Sequence, residues 1–148
     1  MAGVNRAELN EVVTRTILQK SVAIAKMIDS ARILQLRQVL DKVVVADPIR
    51  DYAVRLVLAT HPDSEFAPER IKRYVKWGAS PRGSQALIRG GRVRALAAGR
   101  AHVSTDDLRA FAAEALGHRL LLNYDGQADN VNVLDLVKEL VEQIPVEA

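Results

Sequence analysis

The chain has 148 residues, 49% apolar and 26% charged, the balance of a folded protein with one real core rather than of a disordered segment. No apolar run approaches the roughly 20 residues that span a bilayer, Met1 to Glu8 carry charge early and lack the apolar stretch expected of a secretion signal, and zero cysteines exclude a disulfide scaffold, a thiolate metal site and a thiol nucleophile. The compartment expected on these grounds is the cytoplasm. The net charge of +3 hides a block from Arg70 to Val103 with nine basic residues and no acidic one, set in an otherwise acidic chain.

Helical signals dominate. Asn5 is placed to cap a helix over Arg6 to Leu18, with Leu9, Val12, Val13, Thr16 and Ile17 on one stripe. Ser21 to Ile28 reads as a short extended link, and Asp29-Ser30 as a fresh start for a helix from about Ala31 to Lys42. Val43 to Ala46 is β-branched and too short for more than a connector. Asp47-Pro48 supplies a capping carboxylate and then a proline whose missing N–H costs nothing, opening a helix over Ile49 to Ala59. Pro68 opens a shorter helix, Glu69 to Lys76, which Gly78 stops. Ser80-Pro81 repeats the cap-then-proline signature and predicts a helix from Pro81 to Ala98, closed by Gly99. Gly90-Gly91 in its middle costs about 2 kcal/mol against alanine, so either the helix bends there or another backbone comes too close for a Cβ. Ser104 and Asp107 form a variant capping box for a helix over Thr105 to Leu116. His118 to Tyr124 is apolar enough to be extended, Asp125 to Asn130 reads as a polar loop, and Asn132 caps a final helix to about Gln143. The predicted fold class is all-α, a small bundle of about five to seven helices.

Little of the usual catalytic chemistry is present. His61, His102 and His118 are far apart, and none has a suitable second ligand three or four residues away, so no metal site is expected. No G-x-S-x-G elbow and no glycine-rich phosphate loop occur. Asp106 and Asp107 fall in a first helical turn, where they complement the dipole. Nothing in the chain would catalyse a reaction unaided.

Arg82 differs. It falls at the second position of the predicted helix, where backbone N–H groups are unpaired and the positive dipole makes an arginine locally unfavourable, beside the rigid Pro81. Ser80, Pro81 and Arg82 together make a small anion site in which a guanidinium can grip a phosphate bidentately. A surface arginine paired with an acid elsewhere in the fold is the equally weighted alternative. Arg89 and Arg100 fall within about 20° of Arg82 on a helical wheel, and a cationic stripe of this kind can bind nucleic acid. Within the basic block only Tyr74 and Trp77 supply aromatic rings, however, and both precede the helix. A helix-turn-helix over Glu69 to Ala98 would need a recognition helix that starts Pro-Arg-Gly and carries Gly-Gly. Nucleic acid is therefore disfavoured; a basic nucleic-acid-binding module and a protein–protein adaptor stand as the two alternatives.

The stretch Tyr74-Val75-Lys76-Trp77-Gly78-Ala79-Ser80-Pro81-Arg82-Gly83-Ser84-Gln85-Ala86-Leu87-Ile88 closely resembles the C-terminal helical lid of MoxR-type AAA+ ATPases. The resemblance continues through Arg94 to Arg100, Val103-Ser104 with Asp107, and His118 to Tyr124. Upstream it takes in Val43 to Asp47 and Tyr52 to Thr60, while Arg6-Ala7-Glu8-Leu9 resembles the helix that joins the ATPase core to the lid. It implies that residues 1–28 are linker helix and connector and that 29–148 are the lid. Arg82 is implied to be the sensor-2 residue, reaching the γ-phosphate of ATP held with Mg by the core. It further implies a usually hexameric homo-oligomeric ring, chaperone-like remodelling, and a partner with a von Willebrand factor A domain. The family's phosphate loop, Mg-binding acidic motif, first sensor and arginine finger have no counterpart here, so the resemblance implies the lid of a longer ATPase, with no cofactor expected for this chain alone. Gly90-Gly91 departs from the family, which generally has small residues such as alanine there.

Overall fold

In a computed structural model, which describes residues 4–17 and 25–146, the chain divides into two compact units, Met1–Ile33 and Leu34–Ala148. Eight α-helices and one two-stranded sheet are found among the described residues, one helix more than the expected upper bound of seven. The first unit contains α1 (Arg6–Ile17) and the first turn of α2 (Ser30–Asp41). Asn5 caps α1 as the sequence predicts: its Oδ1 accepts from the N–H groups of Ala7 and Glu8 at 2.9 and 3.0 Å, and Glu8 returns a bond to the Asn5 N–H. The apolar stripe of α1 is exposed, and the predicted link lies partly outside the described residues. Asp29 caps α2 through the Arg32 N–H at 2.7 Å.

The larger unit is built on α3 (Asp47–Leu58), α4 (Glu69–Tyr74), α5 (Arg82–Ala97), α6 (Thr105–Leu116), α7 (Tyr124–Ala128) and α8 (Val133–Gln143). Its core is aliphatic, with Leu56, Leu87, Leu108, Leu116, Leu136, Val137 and Leu140 wholly or almost wholly buried. Tyr52 is its most deeply buried aromatic residue. Its ring is fully buried, the guanidinium groups of Arg55 and Arg109 each lie 5.7 Å from its centroid, and its hydroxyl accepts from Arg109 Nε at 3.0 Å. Arg55 is buried as well, donating to the carbonyls of Pro145 and Val146 at 2.8 and 2.9 Å and to Asp51 at 2.7 Å. It thereby ties the segment after α8 back to α3.

Four predicted boundaries shift. Asp47 is not the cap of α3 but its first residue: the extended Ala46 holds the cap position, and Asp47 instead meets the dipole and pairs with Arg50. The helix from Glu69 stops at Tyr74, because Val75–Trp77 form β1, paired antiparallel with β2 (Leu121–Leu122). This sheet leaves Trp77 and Leu121, which are register partners, exposed. The expected loop at Asp125 to Asn130 is largely α7, capped by Asn123, whose Oδ1 accepts from the Gly126 N–H at 2.9 Å. The connector after α2 does more than connect: Val44 forms a parallel bridge with His102, its N–H reaching the Ala101 carbonyl at 2.9 Å. The capping box of α6 and the Asn132 cap of α8 occur as predicted.

Helix α5 runs unbroken through Gly90-Gly91. The close approach is made by side chains of the next helix, not by a backbone. A Cβ on Gly90 would lie 2.0 Å from the Phe111 ring, and one on Gly91 would lie 2.8 Å from Leu108. The two glycines thus let α6 sink against α5. Gly90→Ala is expected to destabilise the chain by about 1–2 kcal/mol, because displacing the ring outweighs the roughly 1 kcal/mol gained in helix propensity. In a Phe111→Leu background the same change should cost less or stabilise, which urea melts of the double-mutant cycle would measure.

Candidate functional site

The turn ahead of α5 is fixed from below by the end of α3. The Thr60 hydroxyl, fully buried, donates to the Val57 carbonyl at 2.6 Å and accepts from the Ala79 N–H at 2.8 Å. His61 Nε2 lies 2.9 Å from the Ala79 carbonyl, which leaves both backbone groups of Ala79 satisfied. Gly78 is required by proximity, since a Cβ there would lie 2.7 Å from the Thr60 carbonyl. Ser80 does not cap with its side chain. Its carbonyl accepts from the Gly83 N–H at 2.7 Å, and Pro81, in helical conformation, holds the cap position. Arg82 is therefore the first residue of α5 rather than the second, and one of the N–H groups expected to face an anion is already used.

The Arg82 guanidinium is exposed and has no hydrogen bond or ion pair among the described residues. This removes the alternative of a structural pair within those residues. Six of the nine basic residues of the block do meet carboxylates: Arg70 with Glu139, Lys72 with Glu69, Arg73 with Asp129, Arg92 with Asp41, and both Arg94 and Arg100 with Asp107. The predicted stripe of Arg82, Arg89 and Arg100 does not form. Helix α5 ends at Ala97, Gly99 takes the left-handed conformation (φ 73°), and Arg100 turns to Asp107, making bonds of 2.7 and 2.8 Å to its two oxygens. Asp107 is almost fully buried and also accepts from the Ser104 N–H and hydroxyl, both at 2.9 Å. The Arg100 guanidinium above all, and these two bonds, hold its carboxyl well below the usual range against the opposing effect of burial. The same bond raises Arg100. Among the described residues no His, Cys, Asp or Glu cluster could hold a metal, and no helix is long and apolar enough to cross a membrane.

Residues 67–140 match the AAA lid domain family. The chain belongs to the AAA lid domains of the MoxR family. The lid is 29% identical over 119 residues to the chaperone MoxR1 of Mycobacterium tuberculosis, covering 80% of this chain and 32% of that protein. It is 38% identical over 77 residues to the protein MoxR of Methylorubrum extorquens, covering 51% and 22%. It thus spans a third or less of the curated relatives it matches. A solved structure from Cytophaga hutchinsonii, described as a candidate ATPase, shares the fold over 98% of this chain and 44% of its own, with a TM-score of 0.78 and 23% identity.

Sequence reasoning missed the supports of the lid's Arg82 turn. Thr60 and His61 lie 18 or more residues ahead of the groups they bind, so no local pattern announced them. Thr60→Val should leave the buried Ala79 N–H unpaired and cost about 1–2 kcal/mol, with faster hydrogen exchange at that amide, whereas Thr60→Ser should keep both.

Proposed function

We propose that the chain serves as the C-terminal lid of a MoxR-like AAA+ ATPase and closes over ATP held with Mg by a core outside this sequence. Arg82 acts as the sensor-2 arginine, with Ser80 and Pro81 shaping the turn that presents it. The observation that carries this reading is a guanidinium without a partner among the described residues, on a rigid support: Arg82 is exposed at the head of α5, while Thr60 and His61 pin the turn in front of it. Such a group is preorganised to meet charge that develops on a transferring phosphoryl group. Residues from the core would hold the nucleotide and the metal; the lid's own contribution is one positive charge, delivered when it closes.

In this reading residues 1–28 lead from the core and 29–148 form the lid. The exposed apolar side chains of α1, Leu9, Val12, Val13 and Ile17, are what contact with a core would cover. Nucleotide state then sets the lid angle and with it the geometry of a homo-oligomeric, hexameric ring that remodels other proteins in the cytoplasm, together with a von Willebrand factor A domain partner. By itself the chain does not hydrolyse ATP. The pairing of six of the nine basic residues with acids favours this reading over a nucleic-acid-binding module. The test is ATP turnover by a protein that joins this lid to its core, with and without Arg82→Ala; unchanged turnover overturns the assignment.

A further inference from the structure

A second cationic feature lies further along α5. A cavity of about 440 Å³ opens between residues 41–45, α3 and α5, and four cations line it: Lys42, Arg50, Arg89 and Arg92. One carboxylate, Asp41, shares the lining; it is exposed and stands 3.5 Å from Arg92 Nη1. Arg50 is held from outside the cavity by Asp47 at 2.9 Å, while Lys42 and Arg89 have no partner among the described residues. Arg92 is the most enclosed of the four, its side chain 28% exposed. Its Nε is the one buried side-chain donor among the described residues that lacks a hydrogen bond. That donor is sealed from solvent, so contact with a ligand in the cavity falls to the terminal nitrogens of Arg92, of which Nη1 is held only loosely by Asp41.

We infer that this cavity binds a small polyphosphate-type oxyanion, with Arg89, Arg92 and Lys42 as its contacts and the Gln85 amide beside them. The cations arrive from three separate segments and converge on one small volume, so the ligand must carry more than one negative charge in a compact group. A diphosphate does; a single acidic side chain of a partner protein does not. Arginine suits the task because its fork of donors matches the oxygens of a phosphate. The site is separate from the head of α5. Seven residues of helix put Arg89 about 10 Å from Arg82 along the axis. It does not depend on Arg82 acting as a sensor.

Pyrophosphate titrated into this chain at low salt, followed by calorimetry and by amide shifts, provides the test. Saturable binding is expected, with the largest shifts at residues 42–45 and 85–92. Affinity should fall at least tenfold in Arg89→Ala and in Arg92→Gln, and remain within twofold of the parent in Lys76→Ala, an exposed cation elsewhere in the block. Arg89 is exposed, so its variant reports on the site even if the Arg92 variant fails to fold. Inorganic phosphate and ATP distinguish the source: ATP tighter than pyrophosphate assigns the site to a nucleotide, and the reverse assigns it to a free phosphate compound. The inference is overturned if the folded chain shows no saturable binding. It is overturned equally if binding survives Arg89→Ala and Arg92→Gln, or is lost only in Arg82→Ala. Because the readout is binding to the lid itself, these results stand apart from the turnover test above.

Discussion

Arg82→Ala is expected to lower ATP turnover by about a hundredfold in a protein that joins this lid to its core, the usual effect of removing one preorganised charge from a phosphoryl-transfer site. Its melting curve should move by no more than about 0.5 kcal/mol in stability, since the side chain is exposed and contacts no partner among the described residues. That pairing of results separates a charge delivered to nucleotide from a fold that has loosened. Arg82→Lys is the sharper probe. It keeps the charge but loses the planar fork, so turnover should recover only in part, about tenfold below the parent protein. Equal activity in all three proteins would mean that the head of α5 never meets the reacting phosphates.

What the sequence made legible was mostly local. Asn5, Ser104 with Asp107, and Asn132 all cap as their spacing predicts, because a cap is decided within four residues of chain. The two cap-then-proline signatures failed by a residue or more for separate reasons. At Asp47, proline fits either of the first two helical positions, and the extended backbone of Ala46 decides between them. At Ser80, the turn is already held by Thr60 and His61, so the serine hydroxyl is not needed. Val75 and Lys76 read as the end of a helix and become part of a strand because Leu121–Leu122, far along the chain, offer a ladder to pair with. The α7 segment hides its helix behind Asp, Gly and Gln, and only the Asn123 cap hints at it.

The candidate site divides along the same line. Arg82 is conspicuous in sequence because a cation at a helix head is locally unfavourable, and a locally unfavourable choice asks for a reason elsewhere. The partners that fix its turn, and the cations that gather around the cavity beside α5, come from segments far apart in the chain. A helical wheel placed Arg100 with Arg82 and Arg89 by assuming that the helix continues. Gly99, at positive φ, ends that assumption and sends Arg100 to a carboxylate instead.

That carboxylate sets the second large effect. Asp107 is buried at the start of α6, completes the capping box with Ser104, and receives both arms of Arg100. Asp107→Ala is expected to cost about 2–3 kcal/mol: about one for the cap, the rest for the lost charged contacts. The figure stays below that of a fully buried pair because the Arg100 and Arg94 side chains are 33% and 58% exposed and regain water. The melting temperature should fall by roughly 8 °C. The same residue fixes an acid limb. Its carboxyl titrates lower in the folded chain than the ordinary value near 3.9, so below that value the unfolded chain binds the extra proton. The stabilisation is therefore complete above about pH 5 and is lost as the pH falls below about 4 towards the folded value. Asp107→Asn keeps the shape and an oxygen for the Ser104 N–H but cannot titrate. Its melting temperature should start lower at pH 7 and decline less between pH 5 and pH 2.5 than that of the parent chain. Parallel acid limbs in the two proteins would show that the Asp107–Arg100 pair carries no net stability, and would leave the capping bond alone to account for the burial of Asp107.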